Sequence, residues 1–146
     1  MKENKPQNQQ DSKQLQEAVI QIEMLRRQLE ATTQQLQMVA AALDQIAQTE
    51  KALEALSETK EGTEILVPLG SDSFVKATVT DPTNILVGVG ARISVEKKLP
   101  DAQAFLTKRK ESLNKTQDKL SKTADEMAAL LGRLNQRAEE MASGAQ

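Results

Sequence analysis

Apolar residues recur every seven positions along the first part of this chain. Stepping from Leu15 gives Leu15, Ile22, Leu29, Leu36, Leu43 and Glu50; a track three residues later gives Ala18, Leu25, Thr32, Val39, Ile46 and Leu53. Ten of these twelve positions are apolar. Such a repeat draws a narrow apolar stripe down one side of a helix, and that stripe is stable only against another helix. The last third carries a second track without a miss: Leu106, Leu113, Leu120, Met127, Leu134 and Met141. Its companion track is weak near the start, where Lys110 and Gln117 precede Ala124, Leu131 and Ala138; the alternative of Arg109, Thr116 and Thr123 is no better. The two runs predict helices over 13–60 and 100–142. Gly132 inside the second costs about 1 kcal/mol relative to alanine, which the long flanking stretches of helix formers absorb.

The texture between the runs is different. Four short runs rich in β-branched residues, "EILVPL", "SFVKATVT", "NILVGV" and "RISVEK", are separated by "GSDS", "DPT" and "GA" and read as strands. Val75, Ala77 and Val79 alternate with polar residues, as do Ile93 and Val95, so at least two strands should bury one face only. Asp81 and Pro82 preset a type I turn and a hairpin, and Pro68 confines its strand to an edge or an irregular end. Gly62, just after Lys60 and Glu61, marks a helix stop with a cation in the last turn. Pro100 and Asp101 suit the opening turn of the second helix. The fold class that follows is mainly α with small β. A long antiparallel two-helix coiled coil is joined by two β-hairpins over 61–99, with a disordered tail over 1–12 and a short C-terminal tail over 143–146.

Four short strands cannot bury a core of their own, so the hairpins are expected to form a β-barrel platform shared with other chains, which removes their exposed edges. The apolar residues available for that assembly are Ile65, Val67, Leu69, Phe74, Val75 and Val79 in the first pair of strands. In the second pair they are Ile85, Val87, Val89, Ile93 and Val95.

Composition removes most chemistry. The 146 residues contain no cysteine, histidine, tryptophan or tyrosine and only two phenylalanines. Thiol catalysis, imidazole bases and the usual zinc sites are therefore excluded, and no cofactor or metal is expected. A formal charge of −2 offers no basic surface for nucleic acid, and two aromatic rings make no stacking platform. No apolar run approaches a membrane span and the first dozen residues have no signal-peptide core, so a cytoplasmic protein is expected. Gly88 and Gly90 invite a phosphate-loop reading, but the third small residue is replaced by Ile93 and a strand follows where a helix should begin. A hairpin turn at Gly90 and Ala91, with Gly88 easing a bulged strand, is the simpler reading. Paired carboxylates such as Glu139 and Glu140 sit near a helix end with no pocket, which leaves an enzymatic role without support.

The segment "EILVPLGSDSFVKATVTDPTNILVGVGARISVEKKLPDAQAFLTKR" resembles the α-class subunits of prefoldin. Val89, Gly90, Val95, Glu96, Lys97, Asp101, Ala102 and Phe105 match the family's strand and helix-start pattern, whereas Arg92 replaces a frequent glycine. The resemblance covers about 45 residues, and four strands favour the α over the β class. It implies a hexameric chaperone of two α and four prefoldin β subunits, with a double β-barrel body and projecting coils. Such a complex captures unfolded proteins without ATP and passes them to a cytosolic group II chaperonin.

The residues themselves add a location. In an antiparallel coil Leu15 to Leu25 lie level with roughly 135–145, and both stretches hold more apolar residues than a two-stranded seam needs. The candidate client-binding residues are Leu15, Val19, Ile20, Ile22 and Met24 on the first helix. On the second they are Met127, Leu130, Leu131, Leu134 and Met141. Methionine suits an adaptable apolar surface. The alternatives are that this stripe only packs the two helices or a neighbouring coil, or that the protein is a structural tether with inert tips. Lys108, Arg109 and Lys110 offer a basic patch for a partner, but most such runs are solvated helix faces, and that is the favoured reading.

Overall fold

The computed structural model describes residues 5–144. Helix α1 (Lys5–Ser57) leads to strands β1 (Glu64–Gly70), β2 (Ser73–Thr78), β3 (Asn84–Gly90) and β4 (Ile93–Lys98), and helix α2 (Leu99–Gly144) closes the chain. The helices hold 53 and 46 residues. The strands form two separate antiparallel hairpins, β1–β2 and β3–β4. Residues 5–12, expected to be disordered, belong to α1; they contain good helix formers, and Pro6 falls in the first turn, where its missing N–H is not needed. Residues 1–4 of that expected tail and residues 145–146 lie outside the described residues. Among the described residues no helix is long and apolar enough to cross a membrane.

Two compact units make up the chain: residues 41–114, and residues 1–40 with 115–146. The first holds both hairpins and a small core of Leu53, Leu99 and Ala102, against which Leu56, Ile85, Val87 and Leu106 pack. Ala102 has no exposed surface at all, so the start of α2 lies as close to its neighbours as a methyl group allows. Glu50 is one of the two polar residues on the heptad tracks of α1, and Lys110 is one of the weak positions on α2; they answer each other, with Nζ 3.0 Å from Oε2. The pair is partly exposed and sets register more than it adds stability.

Helix α1 ends at Ser57, earlier than the stop expected near Gly62, and no cation occupies its last turn. Its end tightens into three-residue turns, Glu58 N–H to Ala55 O and Thr59 N–H to Leu56 O. Gly62, with φ +86°, then donates its N–H to Val79 O at 2.8 Å and so ties the loop to the end of the first hairpin. The segment at Asp81 and Pro82 is not a hairpin turn, because β2 and β3 do not pair. It links the hairpins through an Asx turn. Hydrogen bonds donated to its carboxylate by the Thr83 hydroxyl, the Asn84 amide and the Thr83 N–H lower the Asp81 pKa to about 2. Leu99 N–H closes the connection on Thr83 O at 2.8 Å.

Both hairpins turn by the same device. Leu69 and Val89 are extra residues where the register shifts, and each is followed by a glycine at positive φ, Gly70 and Gly90. The two central residues of each turn then adopt the left-handed region: Ser71 and Asp72 in one, Ala91 and Arg92 in the other. The second turn thus sits one residue later than Gly90 and Ala91, since the glycine serves the bulge. A two-residue turn of this hand demands positive φ at both central positions, and arginine at φ +60° is strained there. Arg92→Gly should raise stability by about 1 kcal/mol, read as a higher midpoint of thermal unfolding by circular dichroism.

In the second unit, Ala18, Ile22 and Thr32 are buried. A lone helix leaves every side chain wet, so these residues are covered by the α2 segment of this unit. Thr32, the other polar residue on the tracks, satisfies itself by donating its hydroxyl to Gln28 O at 2.9 Å. On α2, Ala124, Met127, Leu131, Leu134, Ala138 and Met141 are half-buried, whereas Thr123 is exposed, so the companion track four residues later is the one used.

Candidate functional site

The coil unit carries two adjoining grooves. The larger, 350 Å³, is lined by Gln21, Met24, Leu25, Gln28, Leu130 and Leu134. Its neighbour, 260 Å³, is lined by Gln14, Glu17, Ala18, Gln21, Leu134, Arg137 and Met141. Leu25 sits with Leu134 and Ala18 with Met141, the level expected of an antiparallel pair. The larger groove has no charged wall; the smaller has one residue of each sign. Among the described residues no cluster of three carboxylates is placed to hold a metal ion.

The ten candidate client residues separate into two groups. Val19, Ile20, Met24 and Leu130 are exposed, Met24 to 57%. Leu15, Leu131, Leu134, Met127 and Met141 are half-buried seam residues that show one edge to solvent, and Ile22 is buried in the seam and offers no surface. The heptad spacing distinguishes these groups only once the partner track is known. One large exposed apolar residue of this unit lies outside the expected set: Met38, 66% exposed, stands just before the seam residue Val39 and away from the over-supplied stretch 15–25.

The hairpins present a second apolar surface. In β1–β2, Ile65, Val67, Val75 and Ala77 share one face by register, and Leu66, Pro68 and Phe74 share the other. Ile65, Val67, Leu66, Phe74 and Val75 are all exposed, so both faces are open. Ala77 alone on β2 is half-buried, as is Val79 just beyond it, and Ile93 and Val95 on β4 are exposed. The expectation that β2 and β4 bury a face is therefore not met within this chain; β3 does it instead, through Ile85 and Val87 on the helical core. Alternation reports that a face needs cover, not which element supplies it. Leu69 and Val89, the bulge residues, are exposed, as is Leu86 at 75% on the outer face of β3. Leu66 and Leu86 lie outside the set expected from sequence because each alternates with that set. Lys97 stands over the Phe105 ring with Nζ 5.5 Å from its centroid, and of the basic run Lys110 is committed to Glu50.

Comparison with known proteins matches this arrangement of two helices and two hairpins to one family. The family model for a prefoldin subunit covers residues 25–143. The chain belongs to the prefoldin family. Among its prefoldin relatives, subunit alpha of Pyrococcus horikoshii is 31% identical over 133 residues, 90% of each chain. Subunit alpha 1 of Thermococcus kodakarensis is 34% identical over 99 residues, 68% of each chain. The resemblance to the α class thus extends from the hairpins into the flanking helices. Two solved prefoldin structures share the fold. The filamentous prefoldin of Methanocaldococcus jannaschii, solved by cryo-electron microscopy, has a TM-score of 0.68 and 24% identity over 77% of this chain and 93% of that one. The prefoldin beta subunit crystal structure from Thermococcus strain KS-1 has a TM-score of 0.56 and 19% identity over 87% and 90%.

Proposed function

We propose that this prefoldin chain is the alpha subunit of a mixed complex with prefoldin beta subunits, two of the former to four of the latter. Its hairpins join a shared barrel, and its coil unit captures unfolded proteins without ATP for delivery to a cytosolic group II chaperonin. The observation that carries the reading is the exposed pair Met24 and Leu130 lining a groove with no charged wall, with Val19 and Ile20 exposed on the preceding turn of α1. Exposed apolar surface gathered in one place marks an interaction site. Because the set is small, its hold is broad and reversible: each side chain buried on a client contributes about 1.5–3 kcal/mol before ordering costs.

The test is suppression of aggregation of a denatured model protein by the assembled complex, without nucleotide. Met24→Ser with Leu130→Ser should weaken capture at least about tenfold, while stability changes by no more than about 0.5 kcal/mol per site, as for exposed residues. Full protection by the double variant would remove these residues from the site. A wild-type complex that leaves aggregation unchanged would favour the tether. Release of captured protein on adding a group II chaperonin tests the delivery step.

A further inference from the structure

One feature of α1 is used by neither the seam nor the apolar set. Glutamine stands immediately before four successive seam positions, as Gln14, Gln21, Gln28 and Gln35, without a charged residue among them. Positions flanking a coiled-coil seam ordinarily carry charges that pair across the interface. Three of these glutamines line the two grooves: Gln21 and Gln28 the larger, Gln14 and Gln21 the smaller. The grooves share Gln21 and Leu134, so they form one continuous track. Among the described residues the side-chain amides of Gln14, Gln21 and Gln28 are exposed and make no hydrogen bond within the chain; Gln48, by contrast, donates to Asp44 Oδ2.

We propose that Gln14, Gln21 and Gln28 form a neutral hydrogen-bonding rail for the free peptide groups of an extended, unfolded segment, whose aliphatic side chains lie against Met24, Leu25, Leu130 and Leu134. This deepens the holdase reading and rests on it. A side-chain amide carries the same donor and acceptor as a peptide group, so it recognises backbone and is indifferent to sequence. Folded proteins have already paired those groups within helices and sheets; an unfolded chain has not. The spacing also fits. Seven helical residues rise about 10.5 Å, and one turn of the extended polyproline-type conformation common in unfolded chains rises about 9.3 Å, bringing every third peptide group to the same side. Over the two steps from Gln28 to Gln14 the mismatch is about 2.4 Å, within the reach of a glutamine side chain. Absence of a charged wall beside Gln21 and Gln28 suits an occupant selected for its free backbone and not for its charge.

Fluorescence anisotropy on the full-length assembled protein tests this, with two labelled twelve-residue probes of leucine, alanine and serine. One has an ordinary backbone; the other has esters in place of alternate peptide N–H groups and identical side chains. The ester probe should bind the wild-type protein about tenfold more weakly. A protein carrying Gln14→Leu, Gln21→Leu and Gln28→Leu should bind the ordinary probe about tenfold more weakly than wild type and no longer distinguish the two. Leucine makes the groove more apolar, so a purely hydrophobic site would bind tighter. Equal binding of both probes by the wild type, or unchanged or tighter binding by the triple variant, overturns the rail and leaves the holdase reading standing. Failure of the wild type to bind either probe overturns both. Should the triple variant lose helicity or assembly, the two-probe comparison on wild type still decides.

Discussion

Leu53→Ala is expected to lower the free energy of unfolding by about 3 kcal/mol, the usual cost of truncating a buried leucine. Leu53 is 4% exposed and joins Leu99 and Ala102 in the only cluster of buried residues in the unit spanning 41–114. Half-buried Leu56, Ile85, Val87 and Leu106 lean on it. The cavity thus opens where two helical segments and the second hairpin meet. With overall stabilities of domains near 5–15 kcal/mol, this is a large fraction. Urea unfolding followed by circular dichroism, at matched protein concentration because assembly also stabilises, reads the effect. Leu66→Ala is the control: it truncates a leucine of the same size that is exposed, and should cost no more than about 0.5 kcal/mol. Equal losses for the two variants would mean that stability does not rest on this cluster.

Val67→Lys together with Val75→Lys is expected to abolish assembly while leaving the helices intact. The two valines face each other across β1–β2 and are exposed in the single chain, so monomer folding has little to lose beyond the repulsion of two like charges. In a shared barrel both ammonium groups would be buried without partners, at a cost of several kcal/mol each. That weakens association by more than about a thousandfold. Sedimentation and native mass measurement should then find only single chains at micromolar concentration. Thr78→Lys, on the polar end of the same strand, should leave assembly unchanged. If the double variant still assembles, this face is not the interface, and the opposite face with Leu66 and Phe74 takes its place.

Different features were legible to different degrees, and the reasons are physical. The heptad tracks were legible residue by residue: all twelve positions from Leu15 to Leu53 are buried or half-buried, Thr32 and Glu50 included. The polar exceptions became intelligible only with coordinates, because Thr32 is satisfied by its own helix and Glu50 by Lys110, sixty residues away. The strands and their grouping into two hairpins were legible from β-branched runs, but the place of the turn at 81–82 was not. Aspartate and proline at 81–82 make a good turn, yet a turn between strands and a turn between hairpins have the same local chemistry. The bulges at Leu69 and Val89 shift each turn by one residue, and no local pattern announces the shift. At the grooves, apolar surplus was legible as composition. Which residues of the surplus face outward was not, since that depends on the track α2 presents.

By itself, the sequence determined the two helices, their antiparallel seam, four strands and the lack of any thiol or imidazole, because period and composition act over neighbouring residues. Only the tertiary structure decided that Ile22 is sealed while Val19, Ile20, Met24 and Leu130 stay open. It alone decided that β3 covers the helical core while the first hairpin is bare on both faces, and that three glutamines line one track. Burial is a property of what lies opposite a residue, and what lies opposite comes from the other end of the chain.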